Sequence, residues 1–132
     1  MIHLDTSALI AALSGPRSQA AVLRRFISDG DRLGVSAIVL YEWWRGPRTD
    51  EELDVQEALL PARTACQFGV AEAGLAASLY RRVKRPRHRE IDLAVAACAI
   101  VQNAALWTLN PRDFADIPDL QLVPHQHLSP PR

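Results

Sequence analysis

Four acidic residues occupy positions where alternating strands and helices would bring them together: Asp5, Glu42, Asp92 and Asp113. Each lies near the end of an apolar, strand-like segment or near the start of a helix-like one. In an open parallel sheet these points share the edge formed by the carboxyl ends of the strands, where ligands bind. Carboxylates this close repel one another unless a cation lies between them, and hard divalent cations prefer oxygen ligands. The four acids therefore predict an Mg²⁺- or Mn²⁺-dependent phosphodiesterase site.

Each acid also has an ordinary structural interpretation. Asp5 could cap a helix, Asp92 could stabilise the dipole of the helix that it opens, and Asp113 could belong to a turn. Glu42 lies between apolar residues and would be costly to bury alone, although it could face solvent or pair with an arginine. The metal-site hypothesis therefore rests on the four positions taken together, since unrelated caps have no reason to meet at one edge of a sheet.

The elements that would position these acids alternate between short strands and helices. We predict five strands, at residues 1–5, 32–35, 65–70, 106–109 and 120–123. We predict helices at residues 8–13, 18–28, 37–45, 50–60, 71–84 and 91–104, the last of them apolar on nearly all sides and therefore central. This order predicts a three-layer α/β fold, in which a mostly parallel sheet of about five strands carries helices on both faces.

The composition predicts a single domain at residues 1–128, followed by a disordered tail at residues 129–132. Lys and Arg total 15, as do Asp and Glu, so a polyanion would have to be held by a local basic patch. No apolar run approaches the roughly 20 residues that cross a membrane, and the first residues do not resemble a signal peptide. Cys66 and Cys98 have no metal-ligand spacing, so we expect two buried thiols in a reducing cytoplasm.

Four short motifs carry a resemblance to a known family. They are Leu4-Asp5-Thr6-Ser7, Ser36-Ala37-Ile38 followed by Glu42, Asp92-Leu93-Ala94-Val95-Ala96-Ala97, and Thr108-x-Asn110-x-x-Asp113-Phe114. In this order and at these intervals they resemble the PIN-domain family, specifically VapC-like toxin ribonucleases of type II toxin–antitoxin systems. The resemblance covers essentially the whole chain and implies a PIN-like fold. One local departure, Arg87-His88-Arg89-Glu90 in place of a Gly-containing loop, concerns the substrate channel rather than the acids.

The resemblance implies an endoribonuclease that hydrolyses RNA phosphodiester bonds with Mg²⁺, for which Mn²⁺ can substitute. It makes all four acids catalytic and metal-binding, with Asp5, Asp92 and Asp113 as direct ligands. Glu42 would be a further ligand or the base that orients the attacking water, and the sequence is compatible with one metal or two. The short polar side chains that would fix the acids are those of Thr6, Ser7, Thr108 and Asn110.

A basic segment leads directly into the third acid. Residues 81–89 contain six of the 15 basic residues, which usually indicates a solvated helix end. We instead predict a rim that grips RNA phosphates beside the acidic site. The predicted RNA-binding residues are Arg82, Arg85, Arg87, Arg89 and, from a separate segment, Arg112. Glu90 could join the acidic site as an outer ligand or remain solvated.

The adjacent Trp43 and Trp44, with Tyr41, cannot all face one core from a single helix, so we predict a partner interface there, with core packing as the alternative. The resemblance implies a homodimer and a cognate VapB-like antitoxin that lies across the groove. Three other functions compete with the toxin hypothesis. They are a non-catalytic RNA- or protein-binding module, a nuclease for RNA processing or DNA cleavage, and an aspartyl-phosphate phosphatase, which would need an acid where the chain has Ser7.

Overall fold

The computed structural model describes residues 1–124, so the tail predicted at residues 129–132 and the last part of the predicted domain lie outside the described residues. The described chain has four strands: β1 (Ile2–Leu4), β2 (Leu33–Gly34), β3 (Ala105–Trp107) and β4 (Gln121–Leu122). It also has six α-helices: α1 (Thr6–Leu13), α2 (Ala20–Ser28), α3 (Ala37–Arg45), α4 (Asp50–Leu59), α5 (Val70–Arg82) and α6 (Glu90–Val101). Single 3₁₀ turns lie at Ala62–Thr64 and Pro111–Asp113.

The strands pair in parallel throughout, and their order across the sheet is β2-β1-β3-β4. Leu4 at the end of β1 lies opposite Trp107 at the end of β3. The chain leaves β1 towards β2 on one side, and β3 pairs with β1 on the other side. In an open parallel sheet, such a reversal of strand order leaves a crevice at the carboxyl ends of the two central strands. Asp5 and Thr108, which directly follow β1 and β3, lie at this point.

The prediction of an α/β fold with a parallel sheet flanked by helices is confirmed, but the described sheet has four strands rather than five. The strand predicted at residues 65–70 is reduced to one parallel bridge between Ser36 and Cys66. Beyond the bridge this segment is exposed, and it leads straight into α5, where Glu72 accepts a hydrogen bond from the Gly69 N–H (3.0 Å). A helix start therefore replaces the second half of the predicted strand.

Helix α6 runs through the centre of the molecule, as its apolar sequence predicts. Residues 93–99 are each at most 7% exposed, and α5 packs along this helix. On β3, Trp107 packs edge-to-face against Phe26 of α2, with the ring centroids 5.2 Å apart. Dense packing around α6 fixes its first turn relative to the sheet, and that turn carries Asp92.

Trp43 and Trp44, both predicted at a partner interface, lie in different environments. Trp43 is fully buried, and the Arg48 guanidinium lies 4.2 Å from the centroid of its ring. The interface prediction is therefore wrong for Trp43, because this side chain lies on the core-facing side of α3. Trp44 is 49% exposed, and its indole N–H donates to Gln56 Oε1 (3.1 Å). The interface prediction now concerns Trp44 alone.

No helix in the described part of the chain is both long and apolar enough to cross a membrane. Cys66 and Cys98 are buried free thiols, as predicted. Burial raises the pKa of Cys98 to about 12, so this thiol stays protonated and chemically inert at neutral pH.

Candidate active site

Asp5 is held between β3 and the first turn of α1. Its backbone N–H donates to the Trp107 carbonyl (2.9 Å), and its side chain makes no capping hydrogen bond although it occupies the N-cap position. Its Oδ2 atom instead accepts hydrogen bonds from Ser7 Oγ (3.0 Å) and Thr108 Oγ1 (2.8 Å). Within residues 1–124 no hydrogen bond reaches the other oxygen, Oδ1. The cap interpretation therefore does not hold, and Asp5 keeps one oxygen available for a ligand.

The hydroxyl groups beside Asp5 are themselves oriented by the backbone. Ser7 Oγ accepts from the Leu109 N–H (3.0 Å), and Thr108 Oγ1 accepts from the Asn110 N–H (3.0 Å). Because a hydroxyl carries a single proton, these bonds leave both protons directed at the carboxylate. Ser7 and Thr108 thus touch the acid with their side chains, as predicted, whereas Asn110 contributes through its backbone N–H.

Glu42 lies in the middle of α3 and points towards α1. The helix starts at Ser36, whose Oγ accepts from the Val39 N–H (3.1 Å), and this cap sets which side of the helix carries Glu42. Glu42 Oε1 accepts from Thr6 Oγ1 (2.6 Å), and Oε2 lies 3.5 Å from Arg45 Nη2. The Glu42 side chain is 19% exposed. Glu42 is therefore held by the Thr6 hydroxyl at one carboxylate oxygen and lies beside Arg45 at the other.

Asp92, in the first turn of α6, feels the charges of the other three acids. Its pKa is raised to about 6, first of all by burial. The remaining upward causes are the carboxylates of Asp5, Asp113 and Glu42, whereas Arg89 acts in the opposite direction. Carboxylates that disfavour the charge of a fourth lie near it in space. Acids that lie 21, 50 and 87 positions from Asp92 in the sequence therefore act on its charge.

Asp113 lies on the exposed 3₁₀ turn after β3. Its carbonyl oxygen accepts from Arg89 Nη2 (2.9 Å), and the same guanidinium binds the Asp116 carboxylate through two bonds of 2.6 and 2.9 Å. These contacts with Asp116 are the main reason that the pKa of Arg89 is raised. Sequence analysis missed Asp116, because an acid in a turn carries no signal until its arginine is known.

The acidic site is open rather than closed around a cation. Among residues 1–124, no group of three or more His, Cys, Asp or Glu side chains is arranged to hold a metal ion by itself. The raised pKa of Asp92 nevertheless reports carboxylate charge without enough positive charge to balance it. An open set of oxygen donors with excess negative charge fits Mg²⁺, which keeps several waters and takes one or two carboxylates directly.

A cavity of about 580 Å³ beside Asp113 is lined mostly by basic side chains. It is lined by Lys84, Arg85, Arg89, Arg112, Asp113 and Asp116. Arg85 and Arg112 are exposed there, in agreement with a rim beside the acids. Arg82 lies apart from this lining and 3.6 Å from Asp119, and Arg87 is exposed outside it. The RNA contacts of all these arginines stay a prediction.

Glu90 does not join the acids. It lines a separate, mostly apolar groove of about 580 Å³ between α5 and α6, together with Phe68, Tyr80 and Ile91. It is also absent from the charges that act on Asp92. The interpretation of Glu90 as a solvated residue is therefore the better one.

Comparison with known proteins identifies the family to which this chain belongs. The PIN domain model matches residues 2–120. A protein named Ribonuclease VapC19 from Mycobacterium tuberculosis is 34% identical over 121 residues, which cover 89% of this chain and 95% of that protein. Ribonuclease VapC from Rickettsia bellii is 32% identical over 132 residues, covering 91% of this chain and 92% of its own length.

A solved structure is also similar. It is the crystal structure of VapBC2 from Rickettsia felis bound to a DNA fragment from their promoter. The match has a TM-score of 0.73 at 25% identity and covers 93% of this chain and 98% of that one. The residues that the family model matches contain all four acids. The chain belongs to the PIN-domain family.

Proposed function

We propose that this chain is a metal-dependent endoribonuclease and the toxin of a type II toxin–antitoxin pair, with Mg²⁺ as its metal. The observation that carries the proposal is the pKa of Asp92, which is raised first by burial and then by the carboxylates of Asp5, Asp113 and Glu42, and which supports a common acidic space. A protein gains nothing in stability from such a cluster, because like charges at short range oppose folding. A divalent cation would offset the repulsion between these carboxylates.

The relatives support the substrate and the partner. Two sequence relatives are named ribonucleases, and the similar crystal structure is a VapBC complex. By analogy we propose RNA as substrate and a VapB-like antitoxin as partner, together with the homodimer that the family resemblance implies. The half-exposed Trp44 and the neighbouring exposed Tyr41 are our candidates for a partner contact.

Asp5, Asp92 and Asp113 are the proposed ligands. Ser7 and Thr108 hold Asp5 by Oδ2, which leaves Oδ1 for the cation. When bound, the metal would act as a Lewis acid that offsets negative charge on the phosphate under attack.

Glu42 is bound by Thr6 at one oxygen and lies near Arg45 at the other, so its orientation is fixed. We propose that it orients the attacking water or completes the ligand set. Exposed Arg85 and Arg112, which line the cavity beside Asp113, would hold RNA phosphates next to the acids.

Cleavage of a single-stranded RNA by the purified protein tests the proposal, with Mg²⁺, with excess EDTA and in the Asp92→Asn variant. Asp54→Asn is the matched control, because Asp54 is an exposed acid on α4. We expect EDTA and Asp92→Asn to reduce single-turnover cleavage at least 100-fold, and Asp54→Asn to leave it unchanged.

Cleavage that is unchanged both by excess EDTA and by Asp92→Asn would overturn the metal mechanism. Tight RNA binding without cleavage at any metal concentration would favour the non-catalytic module instead. Growth arrest on expression, relieved by a co-expressed antitoxin and absent in Asp92→Asn, distinguishes a toxin from an RNA-processing nuclease.

A further inference from the structure

We propose that Arg89 and Asp116 form a clamp that positions Asp113, so that Arg89 acts on the reaction through Asp113 rather than by gripping RNA. The clamp is defined as the Arg89–Asp116 ion pair together with the hydrogen bond from Arg89 to the Asp113 carbonyl. The inference rests on the proposed metal-dependent nuclease and assigns a positioning role within that same site.

Hydrogen bonds within the protein already use most of the N–H donors of the Arg89 guanidinium. Nη1 donates to Asp116 Oδ2 (2.9 Å), and Nη2 donates both to Asp116 Oδ1 (2.6 Å) and to the Asp113 carbonyl (2.9 Å). Paired bonds between a guanidinium and a carboxylate are strong and directional, because the planar fork matches both oxygens. The Arg89 side chain is only 19% exposed. An RNA phosphate would have to displace these bonds to use it.

The clamp joins the two segments that carry Asp92 and Asp113. Arg89 is the N-cap residue of α6, three positions before Asp92, and α6 is fixed in the core. Asp116 lies three positions after Asp113, on the stretch that follows the 3₁₀ turn. Bonds from one arginine to both ends of this stretch therefore set the separation between two proposed metal ligands.

Asp113 has few other restraints. It is exposed, and its turn is held by local backbone bonds, from Asp113 N–H to Asn110 O (3.0 Å) and from Phe114 N–H to Pro111 O (3.1 Å). Within residues 1–124, its carboxylate forms no hydrogen bond or ion pair. The buried Phe114 anchors one side of the turn, and the clamp supplies the restraint on the other side.

Asp116→Asn distinguishes the two roles of Arg89, because they predict opposite effects. If Arg89 is a positioning residue, losing the ion pair loosens Asp113, so Mn²⁺ binding to the RNA-free protein weakens by roughly 10-fold. The single-turnover cleavage rate falls together with the Mn²⁺ affinity. The affinity for a single-stranded RNA in EDTA stays within twofold of the wild-type value. If Arg89 grips RNA, its release from Asp116 tightens RNA binding in EDTA and leaves Mn²⁺ binding unchanged.

Mn²⁺ binding can be followed by electron paramagnetic resonance, and RNA affinity by fluorescence anisotropy. The control is Asp54→Asn, which removes the exposed acid on α4 that also serves as the control for cleavage. This control should change neither quantity by more than twofold.

Arg89→Lys provides a second variant that retains the positive charge. Lysine cannot reproduce the bidentate fork together with the bond to the Asp113 carbonyl. The clamp predicts weakened Mn²⁺ binding in Arg89→Lys with RNA affinity in EDTA preserved. Wild-type Mn²⁺ binding and cleavage in both Arg89→Lys and Asp116→Asn would overturn the clamp. If Asp92→Asn is inactive in the same experiment, the proposed nuclease survives that result and only the clamp fails.

Discussion

At the scale of single residues, the site is defined by Asp92 and by the charges around it. Burial and three carboxylates raise its pKa to about 6, so the metal-free protein holds this proton more tightly than a free aspartate does. Ser7 and Thr108 hold Asp5, and Thr6 holds Glu42, by hydrogen bonds between side chains. These short hydroxyl donors fix the acids where they repel one another, as the proposed cation site requires.

The raised pKa of Asp92 makes a prediction about stability. Because the folded pKa lies above the ordinary one, Asp92 contributes stability that is fully present below pH 3.8 and is lost as the pH rises through about 6. At pH 7 its charge opposes folding, by about 1 kcal/mol after allowance for solvent screening. Asp92→Asn should therefore raise the melting temperature of the metal-free protein by a few degrees at pH 7, but hardly at pH 4.

Thermal melts in EDTA at both pH values measure this difference, with Asp54→Asn as the control. A gain that is equal at the two pH values would mean that the charge of Asp92 is not the cause. A loss of stability at pH 7 would contradict the predicted sign.

At the scale of elements, the strand β2 depends on a glycine. A Cβ atom at Gly34 would lie 2.8 Å from the ring of His3 on the neighbouring strand β1. That ring is buried and hydrogen-bonded to Gln102 (2.9 Å), so it cannot move aside at low cost. Gly34→Ala should destabilise the protein by about 1–3 kcal/mol through overpacking.

Gly74→Ala on α5 provides the matched opposite change. A Cβ at Gly74 has no atom within 4 Å, and alanine favours a helix over glycine. Gly74→Ala should therefore stabilise the protein by roughly 0.5–1 kcal/mol. Urea unfolding measures both variants, and a Gly34→Ala protein as stable as the wild type would mean that β1 and β2 are less tightly paired than described.

Sequence patterns predicted the elements that have strong local signals. The apolar run of α6 follows from residues a few positions apart, and so does the helix α4, at whose start Thr49 and Glu52 bond each other's backbone. The segment at residues 65–70 was wrongly predicted as a strand, since an apolar run that short does not specify its partner. The Arg89–Asp116 pair was invisible for a similar reason, because it spans 27 residues and depends on the fold.

At the scale of the whole molecule, strand order gathers the acids. Because β1 and β3 are neighbours, the ends of two strands about 100 residues apart meet, and Thr108 can bond Asp5. The alternation of elements predicted this class of site, but the alternation alone did not fix the strand order or the contacts. With Lys and Arg equal in number to Asp and Glu, the chain has no net charge to attract RNA. We therefore expect RNA binding to come from the local basic cavity beside Asp113.

We propose that acids distant in sequence bind one and the same divalent ion. Mn²⁺ titration of the RNA-free protein, followed by electron paramagnetic resonance, tests it in Asp5→Asn, Asp92→Asn and the double variant. We expect each single change to weaken Mn²⁺ binding by roughly 10-fold or more. The loss of Mn²⁺ affinity in the double variant should be much smaller than the product of the two single losses. Wild-type Mn²⁺ affinity in either single variant, or losses that multiply independently, would contradict a shared site.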